Sequence, residues 1–272
     1  MDIFNSLLRT LVSGICGLGA DAHPMIGLTL ISILTGIGML WVFGKTSDQE
    51  AVSRTKKRLQ AYLLEMRLFG DDISLVLSAQ KKLITGNFRY LGLMMRPMLF
   101  LTVPLLLLLI HLDGFYGARP LPIDERAVVT LQAAGRLEAN APVPELLAPA
   151  GVHIETAGVR VMETGQVSWR IRAERPVEGS LTFRQGDTEW TKSIAAGEPF
   201  RYLSIRRVSG LWDALWHGGE DRLSEDQVEW IEIRYPAAEV PFAGIELHWL
   251  VWFFVISMLS AYLLRGRFGV TF

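Results

Sequence analysis

The residues best placed to do chemistry in this chain are polar side chains inside or beside long apolar runs. Arg96 directly precedes one such run, and Asn87 lies upstream of it. Together with hydroxyls inside the runs, they could line a hydrated groove that shortens the apolar path for polar segments crossing a bilayer. Alternatively, the hydroxyls bond back to their own helices, and Arg96 marks the membrane edge. The candidate groove residues are Arg96, Asn87, Thr29, Ser32, Thr35, Thr102 and Ser257.

A second polar set is basic and lies between the first two apolar runs. These side chains would contact anionic lipid headgroups, a ribosome or a nascent chain. The alternative is that they only keep a helical segment soluble. The candidate basic contact surface consists of Arg54, Lys56, Lys57, Arg58, Lys81 and Lys82.

The sequence offers little for bond-making catalysis. It has five histidines and a single cysteine, Cys16, and it contains no HExxH, GxSxG, P-loop or GxGxxG motif. Histidines near the ends of the apolar runs are explained as polar interfacial residues, with a metal site as the alternative. We therefore expect no catalytic residue, metal or cofactor, and no enzyme activity. The net charge of −1 does not favour nucleic-acid binding.

Three apolar runs must position these residues. The first covers residues 25–43 and has no charged residue; the second covers 93–112, and the third covers 245–264. Each has about the length that crosses a hydrocarbon core of roughly 30 Å. Together they predict three transmembrane helices.

Basic residues set the expected orientation, because cytoplasmic loops carry an excess of Lys and Arg. Many of them lie between the first two runs, and Arg265 and Arg267 follow the third, whereas the N-terminal stretch carries only Arg9. We expect a multi-pass protein of the cell (inner) membrane, with its N-terminus outside and residues 265–272 as a cytoplasmic tail.

Residues 45–92 predict a cytoplasmic helical hairpin or short antiparallel coiled coil. Ser47 is the expected N-cap of its first helix, with Glu50 completing a capping box. Asp71 or Asp72 is expected to cap the second helix. Residues 1–22 predict an amphipathic helix at the outer interface, with a cleaved signal peptide as the alternative.

Residues 113–244 predict an extracytoplasmic domain rich in β-structure. Short alternating runs such as 167–172 and 180–184, separated by glycines, indicate seven or eight strands. This pattern favours an all-β sandwich, with an immunoglobulin-like form as one version. Residues 137–151 predict a loop with a short helix, and residues 211–216 predict a helical turn that either plugs the sandwich or touches the membrane surface or a client.

This organisation resembles the YidC/Oxa superfamily of membrane insertases, in particular its short three-span archaeal members and a related ER-membrane-complex subunit. The resemblance rests on residues 47–50 (SDQE) opening the basic helix, and on residues 94–98 (MMRPM) leading to Pro104. It covers residues 25–112 and, by topology, 245–270. The sequence departs from the family in its uncharged first span and in the large segment between the second and third spans.

The resemblance implies a membrane protein insertase or chaperone that works through a polar intramembrane groove. Its partners would be nascent or newly made membrane proteins and anionic lipids, with a ribosome or other subunits as further candidates. The alternative function is a non-catalytic structural subunit of a larger membrane complex, with the β-domain as its docking module. An ion or small-molecule conductor is a third possibility that three helices could support only as an oligomer.

Overall fold

The computed structural model describes residues 2–17, 23–135, 142–197, 201–217, 219–224, 227–242 and 244–269. The chain divides into two compact units. We call residues 1–30 with 107–252 the β-domain unit, and residues 31–106 with 253–272 the hairpin unit. Several helices run from one unit into the other.

Six helices occur in the described part of the chain, and two of them are long and apolar enough to cross a membrane. These two are α2 and α4, whereas the apolar helix α6 is shorter. The helices are α1 (Asp2–Gly17), α2 (Pro24–Thr46), α3 (Gln49–Leu68), α4 (Ile73–Tyr116), α5 (Asp213–Trp216) and α6 (Trp249–Leu264).

The start of α3 differs from the sequence prediction by one residue. Asp48, not Ser47, is the N-cap, and its carboxylate accepts a hydrogen bond from the amide of Ala51 at 2.9 Å. The Ser47 hydroxyl is buried and has no partner among the described residues. Both Ser and Asp can cap a helix, so the residue at which the helix begins determines which of the two side chains is the N-cap. At α4, the expected cap is confirmed at Asp72, which accepts from the amides of Ser74 and Leu75.

The second hairpin helix and the second apolar run form one continuous helix. α4 extends over 44 residues and contains both Pro97 and Pro104. A proline inside a helix removes one backbone hydrogen bond, yet the flanking residues form helix strongly enough to continue through both positions. The basic segment of the hairpin therefore continues as helix into the apolar segment that follows it.

The β-domain unit contains antiparallel sheets. One sheet has the strand order β3-β5-β1-β9-β8, with β4 also paired to β5; another has the order β2-β6-β7; β10 and β11 form a separate hairpin. The strands are β1 (Arg126–Ala133), β2 (Glu145–Leu147), β3 (Val152–Ile154), β4 (Val159–Val161), β5 (Gln166–Ala173), β6 (Val177–Gln185), β7 (Thr188–Ala196), β8 (Arg206–Val208), β9 (Val228–Ile233), β10 (Val240–Phe242) and β11 (Ile245–Leu247).

The two larger sheets contribute to one hydrophobic core. Trp169 and Ile171 of β5 share it with Phe183 of β6 and Trp190 of β7. The rings of Trp169 and Phe183 meet edge to face with centroids 5.4 Å apart, a favoured aromatic geometry. Alternate residues of β5 are buried, as its sequence alternation predicts.

Three segments differ from the predicted elements. Residues 245–247, expected to begin the third apolar helix, instead pair with β10 as strand β11, so α6 begins at Trp249. The β-branched Ile245 favours a strand, and because Glu246 and His248 are polar, the uniformly apolar run starts only at Trp249. The sequence of residues 202–206 also predicts a strand, but the strand observed there begins at Arg206 and ends at Val208. Within 137–151, residues 145–147 form strand β2, and residues 137–141 lie outside the described part of the chain.

Candidate functional site: a basic groove and an apolar tip on the hairpin

A groove with a volume of about 340 Å³ lies between α3 and α4 in the hairpin unit. Its walls combine cationic side chains with hydroxyls and one aromatic ring. The lining residues are Thr55, Arg58, Tyr62, Ser78, Lys81, Lys82, Thr85, Gly86 and Arg89.

Helical spacing brings these residues to one face of each helix. On α3, Thr55, Arg58 and Tyr62 follow each other at intervals of three and four. On α4, Lys81 and Arg89 lie eight residues apart. Two successive intervals of four residues place both side chains on the same face of the helix. Gly86 keeps the helices close, since a Cβ there would lie 2.7 Å from Cδ2 of Leu59.

The groove carries uncompensated positive charge. Lys82 donates to the carboxylate of Glu65 at 3.1 Å, which is the ion pair at this groove. The side chains of Arg58, Lys81 and Arg89 form no hydrogen bond or ion pair with the rest of the described chain. The hydroxyls of Thr55 and Thr85 are bonded to the carbonyls of Ala51 and Lys81. The arrangement is therefore suited to attract an anionic or carbonyl-rich segment.

The tip of the same hairpin exposes large apolar side chains. Leu68 and Ile73, on either side of the turn, are 76% and 75% exposed. Exposed apolar clusters of this kind on a polar element mark interaction sites, because leaving them in water costs free energy. The exposed apolar tip consists of Leu64, Leu68, Phe69, Ile73 and Leu77.

Only part of the predicted basic surface lines the groove. Arg58, Lys81 and Lys82 do so, whereas Arg54 pairs with Glu50 at 3.8 Å on an exposed face. Lys56 and Lys57 are exposed and do not line it. The residue missing from the predicted surface is Arg89, although its spacing of eight from Lys81 was a usable signal.

The predicted groove residues of the apolar helices mostly bond to their own backbone. Thr35 donates to the carbonyl of Ile31 at 2.7 Å, and Thr102 to that of Met98 at 2.8 Å. Asn87 likewise donates to the carbonyl of Leu83, at 3.0 Å. This is the alternative given above for polar side chains in such helices.

The remaining candidates are distributed between buried and exposed positions. Ser32 is fully buried, and Thr29 is half-buried. Arg96 is exposed and makes no ion pair within the described part of the chain. None of the seven residues lines the groove between α3 and α4.

Ser257 belongs to a close contact between α2 and α6 within the hairpin unit. A Cβ at Gly36 would lie 2.1 Å from Oγ of Ser260 and 2.7 Å from the carbonyl oxygen of Ser257. Both serines are buried. The hydroxyl of Ser257 donates to the carbonyl of Phe254 at 3.1 Å, and that of Ser260 donates to the carbonyl of Ser257 at 2.9 Å. Small residues that allow two backbones to approach are typical of helix contacts in membranes.

A buried ion pair that sequence reasoning did not predict connects a loop of the β-domain unit to strand β7. The ammonium of Lys192, fully buried on β7, donates to the carboxylate of Glu220 and to the carbonyl of Ser204. Ser193 also donates to Glu220, through its amide at 3.1 Å and its hydroxyl at 2.6 Å. Burial alone would raise the pKa of Glu220, but Lys192 and the Ser193 hydrogen bonds outweigh it and hold this pKa below its usual range.

No group of three or more potential metal ligands occurs among the described residues. Comparison of the chain with protein-family models, with curated proteins and with solved structures yields no match.

Proposed function

We propose that this chain is a membrane protein insertase or chaperone of the YidC/Oxa type, without bond-making activity. The observation that carries the proposal is the exposed apolar tip, Leu64, Leu68, Phe69, Ile73 and Leu77, on the same hairpin as the basic groove. An apolar segment of a newly made membrane protein would cover the tip. Polar residues flanking that segment would enter the groove.

The proposed topology places three helices across the cell (inner) membrane. α2, the apolar part of α4 and α6 would be the spans, with the hairpin and the C-terminus in the cytoplasm and the sheets, arranged as a sandwich, outside. The continuity of α4 supports this arrangement, because one helix would connect the receiving hairpin to the bilayer.

The length of α6 also fits the proposal. Its 16 residues correspond to about 24 Å of helix, less than the roughly 30 Å of hydrocarbon in a typical bilayer. A span this short is accommodated by local thinning of the bilayer. Thinning would lower the cost of moving polar residues across, which is the task of an insertase.

A specific observation favours the alternative of a structural subunit. Within the described residues, β4 pairs only with β5, and Val159, Val161 and the following Met162 are exposed at the edge of this sheet. An exposed apolar edge strand is a surface on which another protein docks. The β-domain would then be the docking module of a larger complex.

Photo-crosslinking in living cells distinguishes the two functions. A photoreactive amino acid would replace Leu68 or Ile73, with Asp187, exposed in the β6–β7 turn, as the control position. An insertase is expected to give crosslinks from Leu68 and Ile73 to many different newly made membrane proteins, which decline when protein synthesis stops. Capture of one or two constant partners that persist after synthesis stops would contradict the insertase and favour the structural subunit.

A further inference from the structure

The segment that contains α5 exposes two tryptophans on the surface of the β-domain unit. Trp212 is 74% exposed and Trp216 is 57% exposed, and Leu211 beside them is also exposed. Tryptophan is among the least suitable residues for open water because of its large apolar ring, and it is enriched where proteins meet the membrane–water interface. The function proposed above makes no use of these side chains.

The fold holds this segment in one place. The amide of Ala214 donates to the carbonyl of Gly210 at 3.0 Å, and that of His217 to the carbonyl of Asp213 at 2.9 Å. On its C-terminal side, the Lys192–Glu220 pair fixes the loop that follows. The tryptophans are therefore presented by a defined turn.

The position of the turn within its unit is next to the end of α4. Trp216 and His217 line a small cavity of about 60 Å³ together with Ile110 and Asp113. Asp113 is the first charged residue after the apolar run of α4, so Ile110 and Asp113 mark the change from apolar to polar sequence. If α4 spans the bilayer, this change lies at the headgroup level.

Two other parts of the β-domain unit, helix α1 and the β10–β11 hairpin, also expose apolar side chains. Arg9 of α1 donates to the carbonyl of Gly219 at 2.6 Å, and Leu11 of the same helix is exposed. In the β10–β11 hairpin, Phe242 is exposed and packs edge to face against Trp252 in the first turn of α6, with ring centroids 5.4 Å apart. Exposed apolar groups thus occur beside the start of α6 as well as the end of α4.

We propose that Leu211, Trp212 and Trp216 insert into the headgroup and upper acyl region of the outer leaflet, and that the β-domain rests on the membrane through them. The occupant of this surface is lipid, because the turn adjoins the apolar-to-polar boundary of α4 and because interfacial tryptophan is the residue this environment selects. The inference rests on the proposed span of α4, which the experiment below tests separately.

The test measures the depth of nitroxide labels in proteoliposomes made with the full chain. Labels would be placed by Trp212→Cys and Trp216→Cys, with Asp187→Cys as a water-exposed control and Val103→Cys, in the apolar run of α4, as a membrane control. The native Cys16 is buried, and the parent chain treated with the same reagent gives the background. Oxygen concentrates in the bilayer, and a water-soluble nickel chelate stays in water. The ratio of the nitroxide relaxation caused by oxygen to that caused by the chelate therefore increases with the depth of the label in the membrane.

We expect the ratio at positions 212 and 216 to lie between those at 103 and 187 and well above the value at 187. Ratios at 212 and 216 equal to that at 187, with a deep value at 103, would overturn this inference and leave the span of α4 intact. A water-like value at 103 would overturn the proposed topology itself. Protection of 212 and 216 from both reagents would mean that protein covers this surface and would also overturn the inference.

A second measurement keeps the Trp212 and Trp216 positions aromatic. In vesicles of lipids brominated near the headgroup, the bromine atoms quench the intrinsic fluorescence of every tryptophan of the parent chain that lies at the interface. The double variant Trp212→Phe, Trp216→Phe should lose part of this quenchable signal, whereas Trp230→Phe, a half-buried strand residue, should not. Equal quenchable signals in the parent and the double variant would contradict insertion.

Discussion

Lys192 and Glu220 show how a single buried charge pair can hold a loop to a sheet. Removing one member of such a pair leaves the other charge without its partner in a poorly solvated place, which is costly even where the intact pair adds little. We expect Lys192→Met to lower the free energy of unfolding of the β-domain by about 3–5 kcal/mol. Urea unfolding followed by limited proteolysis measures this.

The exposed pair Arg184–Glu189 provides a matched control, with its oxygen and nitrogen 2.6 Å apart and both side chains about half exposed. Arg184→Met should leave the free energy of unfolding nearly unchanged, because exposed ion pairs contribute little to stability. Similar losses in the two variants would contradict the structural role assigned to the buried pair.

The same pair predicts an acid-sensitive β-domain. Because the pKa of Glu220 in the folded chain is below its ordinary value of 4.5, the folded state binds fewer protons than the unfolded state in that range. The stabilising contribution of ionised Glu220 to the folded β-domain is therefore complete above about pH 4.5. It is lost as the pH falls through the pKa that Glu220 has in the folded chain. The melting temperature of the parent should fall more steeply with decreasing pH below pH 4.5. The melting temperature of Glu220→Gln should fall less steeply over the same range.

The cap of α3 is a further prediction for a single residue. Asp48→Ala should destabilise the first turn of α3 by about 1 kcal/mol, whereas Ser47→Ala should cost little because its hydroxyl has no partner among the described residues. Hydrogen–deuterium exchange of the amides near Ala51 should be faster in Asp48→Ala by about fivefold. Faster exchange in Ser47→Ala but not in Asp48→Ala would show that Ser47 is the N-cap of α3, as the sequence analysis predicts.

At the scale of the helices, a substitution at Gly36 tests the contact between α2 and α6. A side chain there meets a serine hydroxyl and a backbone carbonyl, and the carbonyl cannot move without shifting α6. Gly36→Val should lower the free energy of unfolding of the hairpin unit by about 1–3 kcal/mol through overpacking. Gly38→Val, on the same helix with open space at its Cβ, controls for the helix propensity of valine. Equal melting temperatures for the two variants in one detergent would contradict the contact.

Sequence patterns predicted elements better than their ends. Alternation in 167–172 correctly predicts β5, and glycine-bounded runs predict β6 and β7, because burial of one sheet face forces a period of two. The strand at 245–247 was not predicted, because its apolar residues merge with the run of α6 and its pairing with β10 depends on a tertiary contact. Likewise, Lys192 reads as an ordinary exposed residue until Glu220, distant in sequence, is placed beside it.

The candidate site was predictable in its chemistry but not in its geometry. The basic residues of the hairpin were identified from charge, yet which of them share a groove depends on the packing of α3 against α4 around Gly86. The exposed tip was not predicted, because large apolar residues such as Leu68 and Ile73 in a helical hairpin are ordinarily expected to be buried.

At the scale of the whole molecule, the proposed topology places the hairpin and the β-domain on opposite sides of the membrane. A membrane-impermeant thiol reagent added to intact cells or spheroplasts should label Asp187→Cys and leave Gln80→Cys unlabelled until the membrane is opened. Both positions are exposed in the structure, so a difference in labelling reports the side of the membrane. Labelling of both positions from outside would contradict the proposed orientation.

The most direct test of the central claim is insertion by the purified chain. Proteoliposomes that contain it would receive a newly synthesised single-span membrane protein, and protection of its span from protease would be measured. We expect a larger protected fraction than in empty liposomes, and a loss of most of that gain when Leu68→Ser and Ile73→Ser remove the apolar tip. A protected fraction equal to that of empty liposomes, or one unaffected by the loss of the tip, would contradict the account.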